Sequence, residues 1–250
     1  MAEDRLQHDI KTIFTDVRTL LWAYADLGVD PPPLSHDAWR SLEGMGKNAK
    51  RHTAAPAPDA APPRFSSLKA LREHMGECTR CGLHKTRKKL VFGEGNARAK
   101  LVFIGEGPGE EEDRAGRPFV GKAGQLLTKI ITDGMGLTRE AVYICNIVKC
   151  HPPRNRDPEP SEIGACLPFL KHQIHIIHPE VICTLGRVAA QSLFGNDFKI
   201  TAKRGQWQAY QGIPVMPTYH PAYLLRNPAA KRDTWEDIKA VMGKLGLEVK

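Results

Sequence analysis

A chain of 250 residues, 41% hydrophobic and 26% charged, is long enough to bury one full core with material left over. No apolar run approaches the roughly 18–20 residues of a membrane span, and the polar start MAEDRLQHDI is unlike a secretory signal, so a cytoplasmic protein with no membrane partner is expected. The net charge of +8 favours polyanions such as nucleic acid as partners, without deciding for them.

Residues 4–27 carry Leu6, Ile10, Ile13, Val17, Leu20, Tyr24 and Leu27 at helical spacing, which predicts one amphipathic helix ended by Pro31-Pro32-Pro33. A short helical stretch follows around 36–44. The Ala/Pro mixture HTAAPAPDAAPPR (52–64) has too little to bury and reads as an extended linker. Residues 1–64 are therefore expected to form an N-terminal appendage, its helix docking on the core or on a protein partner, and residues 65–250 the main domain.

From residue 65 apolar strands alternate with helices. Lys100–Gly105, Val142–Val148, Val181–Leu185 and Ile213–Thr218 read as four strands. Between and after them, Ala123–Gly134, Ser161–His178, Gly186–Phe194 and Thr234–Lys244 read as helices, with Ser161 as an N-cap. This alternation predicts βαβ units and a parallel sheet covered on both faces, with its ligand site at the carboxyl ends of the strands.

Three motifs stand at or near those ends. The first is the glycine-rich GEGPGEEEDRAGRPFVGKAGQLL (105–127), which is neither GxGxxG nor followed by GK[ST]. Its cluster Glu110–Asp113 would repel a phosphate, so a flat, neutral, hydrogen-bonding ligand suits it better, with Phe119 either stacking on that ligand or filling the core. The second is a cysteine set. Of six cysteines, Cys78 and Cys81 form a CxxC, Cys150 follows the second strand and Cys166 lies in the next helix; four thiolates hold either zinc or a [4Fe–4S] cluster. Cys145 and Cys183, inside apolar strands, read as buried thiols. In the third, TYHPAYLLRNP (218–228), His220 ends a strand, while Leu224 and Leu225 beside Arg226 fit a wedge entering a base stack, or else begin a core-facing helix.

Together CTRCGL, the 105–127 block, YICNIVKCHPPRNR and YHPAYLLRNP, in this order over about residues 66–245, resemble the family 4, iron–sulfur uracil-DNA glycosylases. The resemblance implies a three-layer α/β/α sandwich around a four-stranded parallel sheet and a [4Fe–4S] cluster on Cys78, Cys81, Cys150 and Cys166. It further implies a uracil site made by Gly105, Glu106, Gly107, Phe119, Asn146 and His220. The expected activity is monofunctional hydrolysis of the N-glycosidic bond of a flipped uracil, in single- or double-stranded DNA, which starts base-excision repair. Glu106 and His220 would be catalytic, Glu106 positioning water. Leu224, Leu225 and Arg226 would form the DNA wedge, with Leu224 as its tip, and a monomer is expected. Lys85, Arg87, Lys203 and Arg204 join Arg226 as candidate phosphate grips. Gly107 stands where family 1 enzymes carry a water-orienting aspartate, and Glu106 argues against family 5. The rival readings are a zinc-held binding module, an enzyme of free nucleotides and a thiol–disulfide protein.

Overall fold

A computed structural model describes residues 65–248, which lie in the second of two units, Ala61–Lys250. The helices expected at 4–27 and 36–44, and the linker, lie outside the described residues.

Six strands form one sheet in the order β1-β3-β2-β4-β6-β5: β1 (Glu94–Gly95), β2 (Leu101–Gly105), β3 (Tyr143–Asn146), β4 (Val181–Leu185), β5 (Gln208–Tyr210) and β6 (Ile213–Thr218). The inner four are parallel, as expected, with Gly105 beside Asn146 and Leu185 beside Thr218 at their carboxyl ends. The outer two, β1 and β5, pair antiparallel with β3 and β6. They correct the expectation of four strands. At two and three residues, with polar or glycine positions, they carry too little alternation for a sequence pattern to register.

The inner strands are apolar because both of their faces are covered. Along β2, Val102 and Ile104 enter a cluster with Leu170 and Ile174 of α4 (Pro160–Ile177) and Ala189 of α5 (Arg187–Phe194). Leu101 and Phe103 point the other way, to Leu127 of α3 (Lys122–Lys129) and to Ile238 and Val241 of α8 (Ala230–Lys244). This period of two on a sheet with helices on each side makes a three-layer sandwich. Each fully buried Leu, Ile or Phe contributes about 1.5–3 kcal/mol to it.

Some helix ends differ from expectation. The N-cap of α4 is Glu159, in a reciprocal capping box with Glu162, and Ser161 is already inside the helix. The expected helix Ala123–Gly134 is α3 followed by a π-turn over Ile130–Gly134. The remaining helices are α1 (Leu68–Met75), α2 (Glu110–Ala115), α6 (Ile200–Lys203) and α7 (Pro221–Arg226).

Candidate active site

A cleft of about 450 Å³ opens over the carboxyl ends of the parallel strands. Its walls come from the turn after β2 (Glu106, Gly107), from Asn146 and the segment following β3, and from His220 after β6.

Gly105 does not line the cleft but lies beneath it. A Cβ there would stand 2.5 Å from Asn146 Oδ1 and 2.6 Å from Phe119 Cζ, so only glycine lets the aromatic ring and the amide meet at this point. Phe119 is buried with φ +52, a left-handed backbone that a bulky residue keeps only when its surroundings impose it. The surroundings are visible. Glu112 accepts from the N–H groups of Val120 (2.9 Å) and Gly121 (2.9 Å) on one oxygen and of Gly109 (3.1 Å) on the other. Arg139 donates to the Pro118 carbonyl, and to Glu94 (2.8 Å) and Thr128 (2.9 Å). The acidic run after the glycine turn is thus partly internal. Asp113, also buried, accepts from the N–H groups of Lys88 (2.9 Å) and Lys89 (3.3 Å).

Asn146 is 1% exposed, and its Oδ1 has no hydrogen-bond partner. A dry acceptor left unpaired costs about 1–3 kcal/mol, and Asn146 lines the cleft, which makes its amide a candidate partner for a ligand.

The His220 ring lies 5.6 Å, centroid to centroid, from the Phe119 ring at a tilt of 34°. Its Nδ1 accepts from the Ala222 N–H (3.1 Å), which leaves the proton on Nε2. Burial, and then the positive Arg226, push the imidazole down to about 4, against the opposing pull of Glu112. At neutral pH it is an uncharged donor. Gly186, at φ +91, makes room for it, since a Cβ there would stand 2.9 Å from that of His220. The end of β6 is anchored by Thr218, which donates to the buried Asp237 (2.6 Å).

Glu106 is half-buried. Burial, and next the charge of Asp157, push its carboxyl up to about 7, while Arg187 pulls the other way.

The wedge expectation needs correction. Leu224 is 1% exposed and packs inward from α7, whereas Leu225 is 45% exposed and Arg226 lies at the surface beside the cleft. Pro221 starts α7 directly after His220, and the helical turn sends adjacent leucines to opposite sides. Two candidate phosphate grips are also engaged within the fold. Arg204 donates to Asp237, and Arg87 to the Cys78 carbonyl (2.7 Å) and the Cys150 sulfur (3.2 Å). Lys85, Lys203 and Arg226 are exposed.

Cys78, Cys81, Cys150 and Cys166 share one neighbourhood as free thiols. Burial raises the Cys150 thiol; Arg87 opposes this, and Cys81 and Cys78 add to it. Cys166 is pushed up to about 11 by burial, with Lys149 opposing and Cys150 and Cys81 adding. Arg80 donates to the Cys78 sulfur (3.4 Å). Among the described residues no three His, Cys, Asp or Glu side chains converge as one metal ion would require. Cys145 and Cys183 are buried within β3 and β4.

The residues that sequence reasoning missed are Glu112, Asp157 and Arg187. Asp157 and Arg187 pair across 30 positions, which no local pattern signals, and Glu112 was hidden inside a run of like charges.

The family model described as the uracil DNA glycosylase superfamily matches residues 92–239. The Type-4 uracil-DNA glycosylase of Thermotoga maritima is 49% identical over 182 residues, 70% of this chain and 93% of that protein. The Type-4 uracil-DNA glycosylase of Sulfurisphaera tokodaii is 47% identical over 185 residues, 71% of this chain and 84% of its own. The Type-5 uracil-DNA glycosylase of Pyrobaculum aerophilum is 28% identical over 170 residues, 62% of this chain and 74% of that protein.

Proposed function

Since the chain belongs to the type-4 enzymes of the uracil DNA glycosylase superfamily, we propose that the cleft holds a uracil flipped out of DNA and that Asn146, His220 and Glu106 release it by hydrolysis. The enzyme is a hydrolase of N-glycosyl bonds in base-excision repair. The observation that carries the site assignment is the dry, unpartnered Oδ1 of Asn146, next to an aromatic ring and a neutral imidazole donor.

The scissile C1′–N1 bond is out of reach inside a duplex, so the nucleotide must leave the stack. The base then lies on Phe119. Asn146 Oδ1 accepts from N3–H, and its amide N–H donates to O4. Cytosine has an acceptor at N3 and donors at C4, the opposite pattern, and leaves buried groups unpaired. As the bond lengthens, charge gathers on O2, where His220 Nε2–H donates. Such a fixed donor lowers the barrier by about 2.7–4 kcal/mol. Glu106 orients the water that attacks C1′ of the oxocarbenium-like sugar, and uracil departs as an anion, leaving an abasic site.

That role makes the rate depend on pH with a definite sign. The carboxylate is the active form, so the rate should climb about tenfold per pH unit below 7 and level off above it. Glu106→Gln should remove the climb. A single-turnover profile from pH 5 to 9 checks this, and a flat wild-type profile would exclude Glu106.

Four cysteines fit a [4Fe–4S] cluster: all are free thiols in one neighbourhood, and Arg87 and Arg80 already donate to two of the sulfurs. When bound, the cluster ties the segment around Cys78 and Cys81 to α4; glycoside hydrolysis transfers no electron.

Leu225 takes the wedge role in place of Leu224, with Arg226, Lys85 and Lys203 beside phosphates. We further propose a monomeric cytoplasmic enzyme in which residues 1–64 serve a protein partner.

Incubating the protein with uracil-containing DNA and cleaving abasic sites with alkali tests the whole reading; intact strands would overturn it. In the same assay Leu225→Ala should slow excision from duplex about tenfold, part of the unstacking cost of a few kcal/mol, and leave single strands nearly unaffected. An equal loss on both substrates would remove Leu225 from the wedge.

A further inference from the structure

Lys149 is 1% exposed, and the reaction as derived does not use it. It lies three residues beyond Asn146 and one before Cys150. Its Nζ turns back to donate to the main-chain carbonyl of Asn146 (2.8 Å) and also to Gln173 Oε1 of α4 (2.6 Å). Gln173 in turn donates to the Phe92 carbonyl (2.9 Å) and the Tyr143 hydroxyl (3.0 Å), so its amide orientation is fixed by three partners. The main chain of Lys149 is engaged too. Its N–H bonds the Cys166 sulfur, and its carbonyl accepts from the Val91 N–H (2.8 Å).

These bonds form one path. It starts at the strand end that presents the pyrimidine-reading amide, passes through Lys149, and reaches α4, which carries both Gln173 and Cys166. The edges of this path are short because Ile147 and Val148 continue β3 alongside Gly105 and Glu106, bonding their carbonyls at 2.9 and 3.1 Å. Any displacement of the Cys150–Cys166 neighbourhood therefore moves the Asn146 backbone unless Lys149 lets go. A buried polar side chain does not let go freely, since its acceptors would be left dry.

We propose that Lys149 is a positioning residue that couples the four-cysteine site to Asn146, so that filling the one with its cluster sets the angle at which the other reads the base. This rests on the glycosylase and cluster readings given above. Outer partners of metal ligands commonly change affinity or activity by about 10–100-fold when removed, and here one residue stands between both functions.

The test uses the holoenzyme as purified, with two readouts: inhibition by free uracil, and the rate at which a chelator removes iron, followed by loss of visible absorption. Lys149→Met keeps the length and removes both donors. It should weaken uracil inhibition about tenfold and speed iron loss about tenfold, raising KM more than it lowers kcat. Lys149→Arg should recover part of both. If Lys149→Met does not fold, Gln173→Met, which removes the shared acceptor, takes the same two measurements. Either readout moving without the other, or neither moving, overturns the coupling. A wild-type protein that carries no iron or leaves uracil in place would instead overturn the underlying readings, which separates the two failures.

Discussion

Asn146→Asp is expected to lower single-turnover release of uracil by about a hundred- to a thousandfold while narrowing the gap between uracil and cytosine. The side chain keeps its size, so the cleft keeps its shape, and the change is confined to hydrogen bonding and charge. In the proposed complex the wild-type amide offers one acceptor and one donor to the base edge. Aspartate has no donor, and its second oxygen faces O4, acceptor against acceptor. Losing one fixed donor to a developing negative charge costs about 2.7–4 kcal/mol of barrier, the source of the factor quoted. The new oxygen suits the amino group of cytosine, so excision of cytosine should become measurable in the variant and stay absent in the wild type. Excision of uracil at the wild-type rate would remove Asn146 from the site and take the pocket assignment with it.

His220→Ala should cost a similar factor, for a separable reason. The ring is neutral, with its Nδ1 occupied by the Ala222 N–H and its Nε2 proton free for O2. Its low value of about 4 means that it does not ionise in any ordinary assay. Removing it should therefore depress the rate evenly from pH 5 to 9 and leave the Glu106 limb near 7 in place. An imidazolium donor would act otherwise: wild-type activity would fall above about pH 6.5, and the variant would lose that fall. Parallel profiles for the wild type and His220→Ala support the neutral donor. A profile that changes shape with the substitution would refute it. Glutamine at 220 offers a donor of different reach and should recover part of the loss.

The core of the fold was legible because burial on two faces writes continuous apolar runs. Val181–Leu185 and Ile213–Thr218 have the expected bounds for this reason. The edges were not, since Glu94–Gly95 and Gln208–Tyr210 are defined by their partners β3 and β6 more than by their own side chains. Of the residues that the sequence offered for a site, His220 and Asn146 do meet in one cleft, because strand ends converge along the carboxyl edge of a parallel sheet. Leu224 was misjudged, since two adjacent leucines look alike until the helix phase is known, and that phase is set by Pro221. The acidic run 110–113 misled in another way. Composition shows four like charges, and only the fold reveals that Glu112 is turned onto backbone N–H groups of its own loop and Asp113 onto those of Lys88 and Lys89, some 25 positions earlier. Arg204, read as a surface cation, is likewise claimed by Asp237, 33 positions away.

The lone oxygen of Asn146 also bears on how the protein withstands heat. A fold optimised for robustness would saturate that atom or replace it with a methyl-bearing side chain, and would melt at a higher temperature for doing so. On the proposed role of Asn146, thermal hardening and base selection pull in opposite directions at a single position, and a bound pyrimidine would reconcile them by supplying the missing proton donor.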